Sequence, residues 1–112
     1  MKKQKKKGGL KDDVSKLRYD LITLEALEGM AEVLTYGAKK YAPNTWQNVE
    51  DGYNRHYSAL LRHLLAWKSG QRCDSETGYS HMKHVLTNAM FLLYHETHNA
   101  RRYFNGKNNK CK

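Results

Sequence analysis

Few features of the sequence would place the chain in an oxidising compartment or in a membrane. It has only two cysteines, Cys73 and Cys111, which lie far apart and form no metal-ligand pattern. That usage favours a reducing compartment over a disulfide. No apolar run approaches the ~18 residues that a membrane span needs, and the lysine-rich start lacks the apolar stretch of a secretory signal. We therefore expect a cytoplasmic protein with no membrane partner.

Several common catalytic signatures are missing as well. The sequence contains no P-loop, no cysteine-rich zinc pattern, no GxSxG nucleophile elbow and no Rossmann glycine run. Each of these chemistries needs its own backbone turn or ligand spacing, so we set all of them aside.

Positive charge is present in excess, but it is concentrated at the two ends of the chain. Residues 1–9 hold five lysines and residues 101–112 hold five further bases, with no acid in either segment. The other ten bases and eleven acids leave residues 10–100 with a formal charge of about −1. The low complexity of the ends predicts disordered basic tails over 1–9 and 106–112, flanking one helical domain over 10–105.

Three segments show helical periodicity, and nothing resembles a strand of useful length. The Ala42-Pro43-Asn44 turn ends the first segment and Gly70 ends the second. Each segment begins with a polar residue that can cap a helix. The segments and their caps are 23–41 with Thr23, 51–69 with Asp51, and 80–104 with Ser80.

Apolar residues gather on one side of each predicted helix, and we expect these sides to form the core. Three helices make a thin bundle, because stable bundles usually have at least four helices around one core. We therefore predict an all-α fold, a small bundle of three long helices that is completed by oligomerisation. The predicted core residues are Leu27, Met30, Ala31, Leu34, Ala38, Tyr41, Tyr53, Tyr57, Leu60, Leu64, Trp67, Met82, Val85, Leu86, Ala89, Phe91, Leu92 and Leu93.

Three carboxylates recur at helical spacing on the first segment. Glu25, Glu28 and Glu32 share one face, opposite the predicted core side. Carboxylate oxygens suit Mg²⁺ or Mn²⁺, which keep several waters and bridge to substrate phosphates. The alternative is a solvated acidic face near a helix amino end, where the helix dipole favours negative charge.

A polar stripe of His81, His84, Asn88 and His95 runs along the third segment, close to apolar residues. Such a stripe inside a buried helix needs partners, so it predicts either metal or phosphate ligands or a hydrogen-bonded core network. The second segment adds two histidines on one flank and two arginines on another, and small neighbours would let an arginine reach a phosphate. These residues are His56, His63, Arg55 and Arg62.

The loop after the first segment, GAKKYAPNTWQN, combines two lysines with aromatic and amide groups. Lysines attract phosphates and aromatic faces can stack on a base, although two lysines at a helix carboxyl end are also ordinary complements of the helix dipole. The loop CDSETG offers Asp74 and Glu76 as further oxygen ligands, against plain turn chemistry.

Taken together, YDLITLEALEGMAEVLTYGAKKY, NTW, LLRHLLAWKSG and DSETGYSHMKHVLTNAMFLL resemble the phage and bacterial family called the dATP/dGTP diphosphohydrolase N-terminal domain. The likeness covers about residues 18–94, and the order and spacing of the four pieces are more specific than any one of them. That family is similar to the all-α, MazG-like nucleoside triphosphate pyrophosphohydrolases, which assemble as dimers or tetramers and use Mg²⁺ held by glutamates.

The resemblance implies hydrolysis of a purine deoxynucleoside triphosphate to the monophosphate and pyrophosphate, in the cytoplasm of a host cell if a phage encodes the chain. It implies Mg²⁺ or Mn²⁺ at the three glutamates, one of which accepts the proton of the attacking water. His84 and Asn88 would stand where the wider superfamily has a second acidic pair, a departure that affects the number of metals. The implied substrate contacts are Lys39, Lys40, Tyr41, Asn44, Trp46 and Arg62.

Two other functions are compatible with the same residues. The lysine-rich tails around a helical body would suit a non-catalytic module that binds nucleic acid weakly through its phosphates. The histidine stripe would suit a structural or host-interaction protein with a pH-sensitive interface.

Overall fold

The computed structural model describes residues 15–104, and the predicted tails and Cys111 lie outside that range. Within it, the only extended pairing is an isolated bridge between Cys73 and Ser80, so the predicted all-α class is confirmed. None of the described helices has the length and apolarity to cross a membrane. The elements are a 3-10 turn Tyr19–Leu21, α1 (Leu24–Lys40), a 3-10 turn Thr45–Asn48, α2 (Gly52–Lys68), α3 (His81–His98) and α4 (Ala100–Tyr103).

Two of the three predicted caps make the expected hydrogen bond. The Thr23 hydroxyl accepts from the backbone N–H of Ala26 at 3.3 Å, and the Ser80 hydroxyl accepts from that of Met82 at 3.1 Å. Asp51 precedes α2 as predicted, but it has a left-handed backbone with φ 53° and makes no side-chain cap bond. Its carboxylate instead accepts a hydrogen bond from the Asn54 side chain at 3.1 Å.

The third helix is shorter than the sequence predicts. It ends at His98 instead of about Phe104, because Asn99 leaves the helical region with φ −130° and ψ 33°. Asparagine competes for backbone hydrogen bonds and is common where helices end. Its N–H still donates to the carbonyl of His95, and a separate short α4 follows.

Helix α3 lies at the centre of the described chain. Both α1 and α2 pack against it, and the Thr45–Asn48 turn contacts α2 and α3. Because the two outer helices share one neighbour, a wide cleft opens between them with α3 as its floor. This arrangement places the candidate functional site.

The side chains that α3 buries are polar. Among the described residues no hydrophobic side chain is fully buried, whereas five polar residues of α3 are at most 7% exposed. A polar group removed from water must find a hydrogen-bond partner or destabilise the fold, so these residues constrain the packing of α2 on α3. They are His81, His84, Thr87, Asn88 and His95.

The predicted apolar core is wrong for the single chain at several positions. Helix α3 turns its polar stripe inward, so much of its apolar side faces out, and one neighbouring helix cannot cover the wide apolar sides of α1 and α2. Met30, Leu34 and Leu64 are half-buried. The predicted core residues that are exposed are Leu27, Ala31, Tyr41, Tyr57, Trp67, Leu86, Ala89 and Leu93.

Two buried glycines mark the places where the helices approach most closely. A β-carbon on Gly29 of α1 would come within 2.9 Å of Cγ of Lys83 on α3. A β-carbon on Gly52, the first residue of α2, would come within 3.1 Å of Nε2 of His95. The space beside Gly52 is filled by a buried imidazole, which has little freedom to move.

We expect Gly52→Ala to lower the free energy of unfolding by about 1–3 kcal/mol, because the added methyl group overpacks the contact with His95. Chemical denaturation monitored by circular dichroism measures this change. Gly37→Ala is the matched control, since nothing lies within 4 Å of its β-carbon position on α1. The control should gain about 0.5–1 kcal/mol from helix propensity. Equal effects of the two substitutions would contradict the close contact.

Candidate functional site

A cleft with a volume of about 1220 Å³ lies between α1 and α2. Residues 33–38 of α1 form one wall, and Arg55, His56, Ala59, Arg62 and His63 of α2 form the other. The segment 40–46 and the loop residues Asp74, Glu76 and Thr77 also line the cleft. His84, Met90 and Phe91 of α3 contribute to the floor.

An aromatic cluster forms the floor at the end nearest the loop between α1 and α2. The Trp46 ring stacks on Phe91 with 4.3 Å between centroids, and the edge of Tyr94 meets it at 4.9 Å. The imidazole of His56 donates from Nε2 to the Trp46 carbonyl at 3.2 Å, which fixes the short helical turn against α2. Asn44 begins that turn with a left-handed backbone, φ 65°, which asparagine tolerates better than most residues.

A polar clasp joins α1 to the loop between α2 and α3. One oxygen of Glu76, Oε2, accepts from Lys40 Nζ at 2.7 Å and from the Tyr36 hydroxyl at 2.8 Å. These bonds raise the pKa of Lys40 and Tyr36 and lower that of Glu76, so the lysine and the carboxylate both stay charged. The clasp holds a cation at the wall of the cleft.

Imidazole rings face one another along the seam between α2 and α3. Nδ1 of His63 lies 2.8 Å from Nδ1 of His81, and the His63 ring stacks on His84 with 4.3 Å between centroids. Farther along the seam His56 stacks on His95 with 5.3 Å between centroids. Histidines at matching levels of the two antiparallel helices therefore pair by hydrogen bonding or by stacking, although the buried Nε2 of His95 has no hydrogen-bond partner in the described part of the chain.

Asp74 supplies a carboxylate at the end of this seam that lies nearest the loop between α2 and α3. Its Oδ2 accepts from the backbone N–H of Thr77 at 2.9 Å and from the Thr77 hydroxyl at 3.0 Å. Because that hydroxyl gives its only proton to Asp74, it must accept from Nε2 of His84, 2.7 Å away. His84 thus carries a proton on Nε2, which lies 3.9 Å from Asp74.

Burial lowers the pKa of two histidines of the seam. Desolvation and the neighbouring His84 lower the pKa of His63 to about 4, and desolvation also lowers the pKa of His84. Burial opposes ionisation of Asp74, but the two hydrogen bonds from Thr77 and the adjacent histidines outweigh it, so its pKa lies below the usual value. Near neutral pH the Asp74 carboxylate therefore lies beside the uncharged imidazoles of His63 and His84.

One group of three side chains in the described part of the chain has the geometry to hold a metal ion. His63, Asp74 and His81 each offer one ligand atom, and these atoms all lie within 4.8 Å of one another. His81 also binds the Gln71 side chain, with 3.1 Å between Nε2 and the amide oxygen. An amide oxygen only accepts hydrogen bonds, so Nε2 carries the proton and Nδ1 of His81 keeps its lone pair.

Comparison with known proteins identifies the family. A family described as "dATP/dGTP diphosphohydrolase, N-terminal" matches residues 6–103. The chain belongs to this family. A protein of Salmonella phage PMBT28 called "dATP/dGTP diphosphohydrolase" is 33% identical over 86 residues, which is 77% of this chain and 29% of that protein. The chain therefore spans less than a third of this relative's length, and no solved structure matches it significantly.

Five of the six expected substrate contacts line the one cleft. Arg62 lies on the α2 wall, 3.5 Å from the Ser58 hydroxyl, and the other four lie on the segment 40–46. Lys39 is exposed next to the wall made by its neighbours. The five in the cleft are Lys40, Tyr41, Asn44, Trp46 and Arg62.

The expected glutamate ligands lie beside the cleft, on the outer part of α1. Glu28 and Glu32 line a groove of about 350 Å³ that shares Thr35 with the cleft, and Glu25 is exposed in the first turn. Glu32 accepts from Lys83 Nζ at 2.6 Å. The structure thus brings two of the three carboxylates to one groove.

The expected ligands on α3 are buried and already hydrogen-bonded. His84 binds Thr77 as described above, and the Asn88 side-chain nitrogen donates to the His84 carbonyl at 2.8 Å. Both residues lie on the inward face of the helix.

Several site residues were assigned no specific contact by sequence reasoning. The pairing of His63 with His81 requires knowing which faces of α2 and α3 meet, although the seven-residue spacing of His56 and His63 and the three-residue spacing of His81 and His84 are a usable signal. Gln71 and Thr77 carry no such signal, because loop side chains follow no period, and the position of Tyr36 on α1 does not reveal its loop partner. Their contacts depend on how the loop between α2 and α3 folds back over α1.

We expect thermal stability to fall as the pH drops below about 6.5, because burial holds the pKa of His56 and His95 below that ordinary value. The unfolded chain then binds more protons than the folded chain, which favours unfolding. Melting temperatures at about pH 7.5 and about pH 5 measure the effect. His95→Gln should reduce the difference between the two, whereas the exposed control His98→Gln should retain it. A melting temperature that rises on acidification would contradict the assignment.

Proposed function

We propose that this chain binds a purine deoxynucleoside triphosphate in the cleft and hydrolyses it, with a divalent metal, to the monophosphate and pyrophosphate. The observation that carries the proposal is the presence of aromatic rings and basic side chains in one cavity. The family and the name of the phage relative agree with this substrate class.

The cleft offers separate surfaces for a base and for phosphates. Its volume of about 1220 Å³ exceeds the ~300–1,000 Å³ of typical small-molecule pockets, so a nucleotide fits. A purine ring would lie against the Trp46 end, where Tyr41 provides another aromatic face and Asn44 provides an amide that can both donate and accept hydrogen bonds. These groups would select the base.

Phosphates would meet the basic groups of both walls. Arg62 and Arg55 of α2 and Lys40 of α1 all line the cleft. A guanidinium binds phosphate oxygens with two parallel hydrogen bonds, and a lysine adds a compact charge. Lys40 must exchange its bond with Glu76 for a bond with the substrate, while exposed Lys39 would add positive charge at the rim.

For the metal we propose Mg²⁺ or Mn²⁺ bound by Glu25, Glu28 and Glu32, with His84 and Asn88 of α3 as the further ligands that the family resemblance implies. The shared groove of Glu28 and Glu32 fits a hard cation, and its contact with the cleft at Thr35 would bring such an ion toward the phosphates. Lys83 must release Glu32 first. When bound, the ion would neutralise phosphate charge and acidify a water molecule.

Side chains of the protein would accept the proton of the attacking water and stabilise the leaving group. A glutamate carboxylate accepts a proton from the attacking water, whose oxygen forms a bond to the α-phosphorus. The bond from the α-phosphorus to the bridging oxygen breaks, and pyrophosphate leaves with that oxygen. Arg62 and Lys40 stabilise the charge that develops on the leaving group. The monophosphate stays against the aromatic end until it dissociates.

Incubation of the purified chain with each of the four dNTPs and Mg²⁺ or Mn²⁺, followed by chromatography of the products, tests the activity. We expect monophosphate and pyrophosphate from dATP and dGTP. Glu28→Gln should reduce the rate at least about 100-fold, because it removes one negative charge from the proposed ion site. The matched control is Glu96→Gln, an exposed position of α3 away from the cleft. Equal rates for the two variants would refute the glutamate site.

We further propose that the chain acts as a homo-oligomer. Exposed apolar residues occur on all three long helices, including Leu27 at 57%, Leu65 at 65% and Leu93 at 60%. Large apolar side chains that stay exposed on every long helix of a small domain are typical of proteins that associate. Copies of the chain would supply the apolar partners that a single chain lacks.

Light scattering coupled to size-exclusion chromatography measures the mass in solution. We expect at least twice the 13.1 kDa of one chain at micromolar concentration. A compact particle with the mass of one chain would contradict oligomerisation, and it would also require another explanation for the exposed leucines.

A further inference from the structure

We propose that His63, Asp74 and His81 form a binding site for a divalent transition-metal ion at the loop end of the cleft. The site is separate from the proposed glutamate groove and does not rest on the proposed hydrolysis. It is carried by the convergence of three ligand atoms from α2, the following loop and the first residue of α3.

The donor set determines the class of ion. Two imidazole nitrogens and one carboxylate oxygen suit borderline ions such as Zn²⁺, Co²⁺ or Fe²⁺, whereas Mg²⁺ prefers oxygen ligands and retains its waters. Three protein ligands leave at least one coordination position for water or for a substrate atom. His63 and Asp74 line the cleft, so that position would face it.

Two of the three ligands, His81 and Asp74, are each oriented by a neighbouring side chain in the manner of known metal sites. Gln71 accepts from Nε2 of His81 and thereby leaves the lone pair on Nδ1 for an ion. Both bonds from Thr77 to Asp74 end on Oδ2, so the other carboxylate oxygen can bind a cation without breaking them. These contacts hold the ligands in place before any ion arrives, which lowers the entropic cost of binding.

The charge state of the ligands is also suitable. A metal binds the lone pair of a neutral imidazole, and Nδ1 of His81 keeps its lone pair while Nε2 donates to Gln71. The 2.8 Å approach of the two Nδ1 atoms therefore requires a proton on Nδ1 of His63. A cation can bridge the two nitrogens once that proton moves to Nε2 of His63, which keeps the imidazole neutral, and the rings shift slightly.

The test is a titration of the full chain with Co²⁺, followed by its visible absorption, and with Zn²⁺, followed by calorimetry. Excess Mg²⁺ occupies the glutamate groove, and a Cys73→Ser, Cys111→Ser background removes thiol ligands. We expect one ion per chain without any nucleotide present. In the unaltered sequence, the imidazole ¹⁵N resonances of His63 and His81 should shift on Zn²⁺ binding, while that of exposed His98 should not.

Variants locate the ion. Asp74→Asn and His63→Gln should each raise the dissociation constant at least about 100-fold, and Gln71→Ala, which only orients His81, about 10-fold. His98→Gln is the control and should bind like the parent, with circular dichroism verifying that every variant is folded. The proposal is overturned if there is no stoichiometric uptake, if the imidazole resonances stay unchanged, or if Glu28→Gln with Glu32→Gln abolishes uptake instead. If the chain binds the ion but hydrolyses none of the dNTPs, only the proposed function is refuted and the metal site stands.

Discussion

The packing of α2 on α3 depends on hydrogen bonding and stacking between the histidine rings of the two helices. In an ordinary helical domain apolar side chains fill such a seam, and their contacts tolerate small shifts. Here the buried side chains of the described chain are polar, and each ring must meet a particular partner at hydrogen-bonding or stacking distance. That requirement fixes the register of the two helices. It also places His63 beside the loop that carries Asp74.

The cleft follows from this arrangement. Because α3 uses one face for α2 and another for α1, the outer helices cannot close over each other, and a cavity remains between them. The polar clasp around Glu76 then connects the end of α1 to the loop that also carries the seam's carboxylate. One short loop thus contacts both the basic wall and the histidine cluster.

The sequence predicted where the helices lie along the chain better than it predicted which of their faces pack together. Periodicity and caps located α1, α2 and the start of α3 closely, since these are local properties of a few residues. The apolar side of α3 was predicted to be buried, yet Leu86 and Leu93 are exposed, because the inward face depends on the partner helix. The cleft residues Lys40, Asn44 and Trp46 were found because aromatic and basic groups cluster in one loop. The contacts of Gln71 and Thr77 come from tertiary folding and leave no periodic trace.

The carboxylate of Glu76 competes with any anion that enters the cleft for the positive charge of Lys40. Lys40 is already paired with Glu76, so an incoming phosphate must replace that carboxylate and does not simply displace water. A ligand with a single phosphate gains little from such an exchange. A chain of phosphates can hold the neighbouring arginines while it competes for the lysine, so its advantage comes from reaching several cations at once. If the cleft binds the proposed triphosphate, the pairing of Lys40 with Glu76 would therefore favour ligands with several phosphates over ligands with one.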